Sequence, residues 1–275
     1  MHDNVPLYDL SYPWLPADDY RPVACSVCGG VGEETAYFLI NGERFSIQRC
    51  EHDDLMFLSP QPGDRYLEAL YSHPTYYEGS DDMYGMSTDD TKSGAIATMR
   101  IKELIPYGAA TGPFLELGSA YGHTLTAALS AGFRPVIGIE YGSEAVARAR
   151  AKGLDVRQGS IDEDFASIVS DMQFSTIALY SVLEHVRDPK RLLEHVRGLL
   201  APDGIVVIRV PDTPATGPTL SLVDHLWHFT RAGLTRLLIS LGYEVLDTFP
   251  SGTFKGVQHP NQSLASVTIV ARKAC

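Results

Sequence analysis

A glycine-punctuated turn between a predicted strand and a predicted helix constrains the fold of this chain more than any other feature. The segment 114–122 reads FLELGSAYG, in which apolar residues carry the acidic Glu116 into a turn that contains Gly118 and Gly122. Glycine lets the backbone turn sharply and approach a ligand, and the helix predicted over 121–130 leaves backbone N–H groups free at its start. Such a crevice lies at the carboxyl end of the first strand of an open α/β sheet.

The turn departs from the dinucleotide fingerprint G-x-G-x-x-G. Counted from Gly118, Ala120 stands at the position of the second glycine and His123 at that of the third. An NAD-dependent oxidoreductase is therefore an alternative that would use the same crevice, although the broken fingerprint counts against it. A non-catalytic scaffold that binds a cofactor is a second alternative, because a pattern of this kind does not establish catalysis.

Further apolar segments alternate with predicted helices and complete a sheet. They predict an α/β fold, a Rossmann-like seven-stranded sheet with helices on both faces and an antiparallel last strand. The segments that supply the remaining strands are 135–140, 154–162, 174–189, 204–210, 243–249 and 266–272. The second of the seven strands, PVIGIE, ends in Glu140, a carboxylate that is placed to accept both hydroxyls of a ribose; an exposed residue at a strand end is the alternative interpretation.

Four motifs in this order and spacing, ELGSAYG, GIE, QGSID and SVLEHVRDP, resemble the class I S-adenosylmethionine-dependent methyltransferases over about 99–273. The resemblance implies that the glycine loop binds the methionine end of the cofactor, that Glu140 binds the ribose and that the QGSID turn binds the adenine edge. The cofactor-binding residues expected in this way are Glu116, Gly118, Ser119, Ala120, Gly122, Glu140, Tyr141, Ser160, Ile161, Asp162 and Ser181. Ala120 stands where many relatives have glycine and Ser160 where many have aspartate, and both departures are expected to be mild.

Three cysteines near the N-terminus indicate a metal site. Cys25 and Cys28 form a C-x-x-C pair, and Cys50 follows with His52 and Asp53 beside it. This spacing is close to that of a structural zinc site, and thiolates favour zinc over harder cations. Free buried thiols are the alternative, and disulfides are a weaker one.

The same block resembles the zinc-binding N-terminal module of the sugar C-methyltransferases, in which the second half of the site reads C-x-x-C-G-L. Here the frame reads CEHDDLMF over 50–57, so that Asp53 replaces the fourth cysteine. On this reading either His52 or Asp53 completes the zinc site, or the site has lost its metal. Cys275 lies outside the spacing.

These motifs predict four parts of the chain. They are an N-terminal arm over 1–20, a zinc-binding module over 21–62, a helical cap with a lid loop over 63–107, and a methyltransferase domain over 108–275. In the resembled family the lid loop covers the cofactor and approaches the acceptor, which makes Tyr76, Tyr77 and Tyr84 candidates for the site; packing of a surface loop is the alternative for each.

The candidate catalytic residues follow the fourth and fifth strands. Methyl transfer needs an acceptor held close to the methyl carbon and a group that takes up the acceptor's proton, for which histidine is suited near neutral pH. The family's loop reads E-H-x-x-Y-F-S where this chain has DHLWHFT, which makes His225 the expected general base and His228 its rival. The candidates are His225, His185, Tyr76, His228 and Asp224. Loop-anchoring hydrogen bonds are the alternative role for His225 and His228.

Charge and composition limit the class of molecule that is expected as a partner or methyl acceptor. With 22 basic and 34 acidic residues the net charge is −12, which disfavours nucleic acid as a partner. The N-terminus has neither a basic segment nor an apolar one, so a cytoplasmic location and no membrane association are expected. The chain ends soon after the last predicted strand, without the further C-terminal domain of the sugar C-methyltransferases. The expected acceptor is therefore a small hydroxylated metabolite or natural product, methylated on oxygen or carbon.

Overall fold

The computed structural model describes residues 6–7, 9–53, 55–72, 90–108, 111–162, 165–170, 172–213, 223–255 and 263–274. The strands in chain order are β1 (Asp9–Leu10), β2 (Tyr20–Arg21), β3 (Glu33–Ile40), β4 (Glu43–Arg49), β5 (Met56–Ser59), β6 (Gln61–Pro62), β7 (Phe114–Leu117), β8 (Val136–Glu140), β9 (Asp155–Gln158), β10 (Phe174–Tyr180), β11 (Leu200–Pro211), β12 (Trp227–His228), β13 (Tyr243–Lys255) and β14 (Ser263–Lys273). The helices are α1 (Asp64–Ser72), α2 (Asp90–Leu104), α3 (His123–Ala131), α4 (Ser143–Ala151), α5 (Ala166–Val169), α6 (Pro189–Leu199) and α7 (Arg231–Ser240), with a 3₁₀ turn at Ile105–Tyr107.

The larger sheet has the predicted architecture. Its strand order is β13-β14-β11-β10-β7-β8-β9. Strands β7 to β11 pair in parallel, whereas β14 runs antiparallel to both β11 and β13. The seven strands and the antiparallel last strand predicted from the sequence are confirmed.

Helices cover both faces of this sheet. Successive side chains of each strand point to opposite faces, and both sets are apolar, so each face is buried under helices. One face packs on α6 and α7 through side chains such as Leu193 and Leu234. The other face packs on α2, α3 and α4 through Ile101, Leu125 and Val146. Burial on both faces explains the nearly continuous apolar runs of the central strands. Because β7, β8 and β10 run parallel, their carboxyl ends lie at one edge of the sheet.

The N-terminal sheet has the order β1-β3-β4-β5-β12. A tight hairpin joins β3 to β4, and its turn residues Asn41 and Gly42 have φ of 54° and 81°, the left-handed conformation that an Asn-Gly pair adopts most readily. The aromatic side chains of Phe38, Phe45 and Tyr66 pack beneath this sheet. The hairpin is not among the sequence predictions, although the Asn-Gly pair between apolar strands is its usual signature.

The last strand of the N-terminal sheet comes from the C-terminal half of the chain. In β12, Trp227 pairs with Phe57 and His228 with Met56, antiparallel to β5. The segment 211–230 is predicted as a loop, and the structure shows that part of it joins the N-terminal sheet. The sheet thus spans the predicted division between the module and the methyltransferase domain. Among the described helices, none is long and apolar enough to cross a membrane.

Candidate active site

The glycine loop after β7 adopts a conformation that two of its residues can reach only as glycine. Gly118 has φ of +70° and Gly122 has φ of +77°. A Cβ on Gly118 would lie 2.5 Å from the Cγ2 of Val182, and one on Gly122 would lie 2.3 Å from the Cδ1 of Leu154. Both glycines are therefore needed for conformation and for packing, as the motif indicates.

Ala120 also lies in the left-handed region, with φ of 44°. For a residue with a Cβ this conformation costs about 1–2 kcal/mol. Alanine at this position is expected from the sequence to be a mild departure from glycine, and the structure shows that it carries a backbone cost. Its N–H donates to the Oε2 of Glu140 at 2.8 Å, which holds the loop against the end of β8.

Glu140 is fixed by two backbone amides. Its Oε2 accepts the Ala120 N–H, and its Oε1 accepts the Gly142 N–H at 2.8 Å. Each carboxylate oxygen has a second lone pair, so both oxygens retain the capacity to accept a further hydrogen bond. Gly138, two residues earlier, lets the loop lie close, because a Cβ there would be 2.5 Å from the Oγ of Ser119.

A pocket opens beside the glycine loop, with the carboxyl group of Glu116 in its wall. Its other lining residues include Arg100, Ser119 and Tyr180. Burial raises the pKa of Glu116 to about 8, a shift that a hydrogen bond from Thr124 and the nearby Arg100 charge oppose. The Oε2 of Glu116 and the Oγ of Ser119 are buried without a hydrogen-bond partner in the described structure.

Arg100 is not among the sequence-predicted site residues. It lies on α2, and its guanidinium carbon is 4.5 Å from the centroid of the Tyr180 ring. The pocket therefore contains a guanidinium group from α2 and a carboxyl group from β7. A lone arginine on the helix that precedes the first strand is a weak sequence signal, and only packing of α2 against α3 brings it to the pocket.

The remaining cofactor-site candidates lie at the same edge of the sheet. The Oγ of Ser160 accepts the Asp162 N–H at 3.2 Å, and the Asp162 carboxylate accepts the Arg187 N–H at 2.6 Å. Burial raises the pKa of Asp162. Ile161, between them, packs partly buried against the core. These contacts hold the turn after β9 against the loop after β10.

Two further candidates flank this edge. Tyr141 follows Glu140 and is 59% exposed. Ser181 follows β10 with φ of 57°, and its N–H donates to the carbonyl oxygen of Arg209 on β11 at 2.8 Å. A left-handed serine at the end of a central strand turns the chain abruptly towards the loop that carries Glu184 and His185.

The loops after β10 and β11 bring together an acid and three imidazoles. Backbone bonds fix the contact: the carbonyl oxygen of Glu184 accepts the N–H groups of Leu226 and Trp227 at 2.8 and 3.2 Å. The rings of His185 and His225 meet edge to face with centroids 4.8 Å apart, and those of His225 and His228 are 6.4 Å apart. Tyr76, Tyr77 and Tyr84 lie outside the described residues.

Asp224 is paired with His185, although His225 is its neighbour in sequence. The Nδ1 of His185 lies 2.9 Å from the carbonyl oxygen of Asp224 and 3.4 Å from its Oδ2. A carbonyl oxygen only accepts, so Nδ1 carries the proton and Nε2 keeps its lone pair. Asp224 thereby orients His185.

The three imidazoles differ in how deeply they are buried. His225 and His228 are buried with no partner for Nε2 in the described structure. Burial lowers the pKa of His225 well below its usual value, and the charges of His185 and His228 lower it further. Burial lowers the pKa of His228 to about 4, and its strand pairing holds it in the N-terminal sheet. Burial raises the pKa of Glu184 to about 7.

The predicted metal ligands of the N-terminal module converge. The Sγ atoms of Cys28 and Cys50 are 3.4 Å apart, and the Oδ2 of Asp53 lies 3.5 Å from the Sγ of Cys25 and 3.4 Å from that of Cys50. Four donor atoms at these separations fit a tetrahedral ion with three sulfur ligands. His52 is exposed and contributes no atom to this cluster. The geometry thus favours Asp53 as the fourth ligand.

Comparison with known proteins is consistent with this geometry. The family model described as a methyltransferase domain matches residues 95–248. A probable S-adenosylmethionine-dependent methyltransferase of Mycolicibacterium smegmatis is 29% identical over 144 residues, which are 50% of this chain and 53% of that protein. The match thus spans about half the length of this curated relative.

Solved structures share the fold. A 1,6-didemethyltoxoflavin-N1-methyltransferase of Burkholderia thailandensis is 17% identical and superposes with a TM-score of 0.54, over 84% of this chain and 96% of that one. An S-adenosylmethionine-dependent methyltransferase of Clostridium acetobutylicum is 11% identical with a TM-score of 0.54, over 73% of this chain and 98% of that one. At these identities the likeness concerns the fold alone.

Proposed function

Because the chain belongs to the family defined by this methyltransferase domain, we propose that it transfers a methyl group from S-adenosylmethionine to a small hydroxylated acceptor. The observation that carries the proposal is the arginine and the buried carboxyl group that line the pocket beside the glycine loop. The amino-acid end of the cofactor is a zwitterion, and Arg100 and Glu116 offer a guanidinium and a carboxyl group to it.

The chain's own residues position the cofactor. Glu116, with a buried oxygen that lacks a partner, accepts a hydrogen bond from the methionine ammonium, and Arg100 pairs with the methionine carboxylate. Glu140, already fixed by two amides, accepts both ribose hydroxyls. Ser160, Ile161 and Asp162 are proposed to contact the adenine edge. The cofactor supplies an electrophilic methyl group on a sulfonium.

Proton removal is assigned to the two contacting imidazoles. The sequence gives the base role to His225, with His185 and Tyr76 orienting the acceptor. The structure adds an argument for His185, because Asp224 engages its Nδ1 and so fixes the ring and its tautomer. His225 is more deeply buried, which disfavours its charged form. The acceptor is a small hydroxylated metabolite or natural product, methylated on oxygen or carbon.

The N-terminal cluster is proposed to hold one structural zinc ion. Cys25, Cys28, Cys50 and Asp53 fill a tetrahedral shell, so no position stays open for catalysis. Burial raises the pKa of Cys25 to about 12, so that the thiol keeps its proton until a metal ion displaces it. A cytoplasmic location and the lack of nucleic-acid partners stay predictions from the sequence.

Calorimetry with S-adenosylmethionine and, separately, with NADH tests the cofactor. We expect binding of the first alone; tight NADH binding without the first would favour the oxidoreductase alternative. Transfer of radiolabelled methyl to a panel of hydroxylated acceptors tests the reaction. Cofactor binding without transfer to any acceptor would favour the scaffold alternative.

Single variants test the base. Replacement of the true base by glutamine should lower turnover about 10²–10⁴-fold while cofactor affinity stays nearly intact. The main comparison is between His185→Gln and His225→Gln, and His228→Gln tests the third candidate for the base. Turnover that is unchanged in all three would mean that positioning alone drives the reaction.

A further inference from the structure

We infer that Glu184, His185 and His225 form a second metal site, for a divalent transition-metal ion, at the acceptor end of the candidate active site. Each side chain offers one ligand atom, and the three atoms lie within 4.8 Å of one another. The site is separate from the thiol cluster and differs from it in ligand chemistry. The metal binding stands by itself, whereas the role given to the metal below rests on the proposed function.

Unpartnered buried atoms are the first observation. Glu184 is 1% exposed, and in the described structure neither of its carboxyl oxygens has a hydrogen-bond partner; the same is true of the Nε2 of His225, which is 5% exposed. A buried carboxyl group without a partner is costly, and such groups normally pair or coordinate metals. A cation between Glu184 and His225 would satisfy both.

The orientation of His185 is the second observation. Its Nδ1 is engaged by Asp224, through the carbonyl oxygen at 2.9 Å and the carboxylate at 3.4 Å. Histidines that bind metals commonly donate the other ring N–H to a carbonyl or carboxylate in this manner, which fixes the ring and its tautomer. Asp224 thus supplies to His185 the support that a ligand imidazole requires.

Rigid placement is the third observation. Glu184 and His185 are adjacent in the loop after β10, and His225 reaches them from the loop after β11. The bonds from the Leu226 and Trp227 N–H groups to the Glu184 carbonyl tie the two loops together. The indole N–H of Trp227 donates to the carbonyl of Val186, two residues after Glu184, at 2.7 Å. These hydrogen bonds therefore fix the positions of the three candidate ligands.

The ligand set indicates the class of metal. Two imidazoles and one carboxylate suit Mn²⁺, Fe²⁺ or Zn²⁺ better than Mg²⁺ or Ca²⁺, which prefer oxygen ligands. Three protein ligands leave coordination positions open, unlike the closed shell of the thiol cluster. An open position beside the acceptor site can take an oxygen of the acceptor.

A role in the proposed reaction follows from this open position. When the acceptor hydroxyl coordinates, a metal–oxygen bond forms, the O–H bond breaks and the proton leaves to solvent water, because a bound cation lowers the pKa of the hydroxyl. The oxygen then bonds to the methyl carbon as the bond from that carbon to sulfur breaks. The imidazoles act as ligands in this case, and the metal replaces them as the group that activates the hydroxyl. An acceptor with two neighbouring oxygens would bind best.

Titration with Mn²⁺ tests the site on the full chain. Mn²⁺ favours nitrogen and oxygen ligands over thiolates, so it reports this site and spares the thiol cluster. Free Mn²⁺ is measured by its electron paramagnetic resonance signal. We expect one Mn²⁺ per native chain, and affinity at least tenfold weaker in both Glu184→Gln and His225→Gln.

His228→Gln is the matched control, because His228 lies on the same loop, is buried and has an unpartnered Nε2, yet does not belong to the cluster. Its Mn²⁺ affinity should equal that of the native chain. Absorption of bound Co²⁺ separates the two metal sites, since only the thiol cluster gives sulfur-to-cobalt charge transfer, which Cys28→Ser should weaken.

Two results would overturn the inference: a folded native chain that binds none of Mn²⁺, Fe²⁺ or Zn²⁺ outside the thiol cluster, or binding that Glu184→Gln leaves unchanged. Circular dichroism confirms that each variant is folded, and if His225→Gln unfolds, Glu184→Gln and the native chain decide. Cofactor calorimetry on the same samples keeps this result distinct from the proposed function, because failure to bind S-adenosylmethionine would refute that function and leave the metal result standing.

Discussion

Protonation of Glu116 should make cofactor binding depend on pH. Burial raises the pKa of this carboxyl group to about 8 in the unliganded chain. At pH 7 roughly one chain in eleven then has the charged form, and ionising the rest costs about 1.4 kcal/mol. The proposed contact with the methionine ammonium requires the charged form. Binding at pH 7 should therefore be about tenfold weaker than the limit reached when Glu116 is fully ionised.

Calorimetry measures the consequence in two ways. Between pH 6 and pH 7 the dissociation constant for S-adenosylmethionine should fall by close to tenfold. At pH 7, titrations in buffers of different ionisation enthalpy should show release of about 0.9 proton per cofactor bound. Both effects should vanish in Glu116→Gln, which cannot ionise, and persist in the control Glu103→Gln, a half-buried acid on α2 that does not line the pocket.

The same ionisation predicts the sign of a stability effect. Because the pKa of Glu116 is raised on folding, the folded chain binds more protons than the unfolded chain between about pH 4.5 and pH 8. The free energy of unfolding should therefore fall as pH rises through this window. Glu116→Gln removes this loss, so its melting temperature relative to native should increase with pH. Cofactor affinity independent of pH, with no proton release in the native chain, would refute the reasoning.

Three further predictions concern the loop and the thiol cluster. Glu140→Ala should weaken cofactor binding at least tenfold by calorimetry, since charge-assisted bonds contribute about 1.5–3 kcal/mol each; unchanged affinity would remove Glu140 from the site. Ala120→Gly should raise the free energy of unfolding by up to about 1 kcal/mol in urea melts, because glycine relieves the left-handed strain; a lower midpoint would show that the strain is absent. Metal analysis should find zinc in native chains purified without chelator. The Cys50→Ser variant should contain no zinc and should have a lower melting temperature, with a smaller effect on cofactor affinity. A native chain without zinc would contradict the assignment.

The sheet was predictable because its information is local. Each central strand is an apolar run, and each is followed by glycine or a polar turn, so the order of segments alone indicates a doubly covered sheet. The shared location of Glu116, Glu140 and Asp162 near the carboxyl ends of β7, β8 and β9 follows from the same pattern, since the carboxyl ends of parallel strands lie at one edge. Their hydrogen-bond partners do not follow: only the fold shows that Glu140 accepts the N–H of Ala120, in the loop after the neighbouring strand β7.

The rest depends on contacts between distant segments. Arg100 lies 16 positions before Glu116, and no spacing in sequence brings a residue on α2 to that carboxyl. Asp224 is adjacent to His225, yet adjacent side chains diverge and the carboxylate faces His185 instead. The hairpin at Asn41 is a different case, because its signature is local and the sequence alone suffices to predict it.

The N-terminal sheet reaches the candidate acceptor site through one short strand. Cys50 and Leu55 are joined by a backbone bond from the Cys50 N–H to the Leu55 carbonyl at 2.9 Å, at the start of β5. Strand β5 pairs with β12, and the carbonyl oxygen of Leu226 accepts the Leu58 N–H at 2.9 Å. His225 immediately precedes Leu226, so the thiol cluster and the acceptor-side imidazole are separated by two strands of one sheet.

A metal ion bound in the N-terminal module can therefore affect the reaction although it does not contact the reacting atoms. The strand Trp227–His228 has only two residues, too short to hold its place without neighbours. It is held on one side by β5 and on the other by Glu184, whose carbonyl accepts from Leu226 and Trp227. If the thiol cluster loses a bound metal ion, β5 loses an anchor at Cys50, and the loop depends more on its contacts to Glu184, His185 and Val186. The module then acts as a support that fixes His225 relative to Glu184 and His185. Disorder in the module would affect the acceptor side before it affected the cofactor, which is proposed to bind at the glycine loop of the separate seven-stranded sheet.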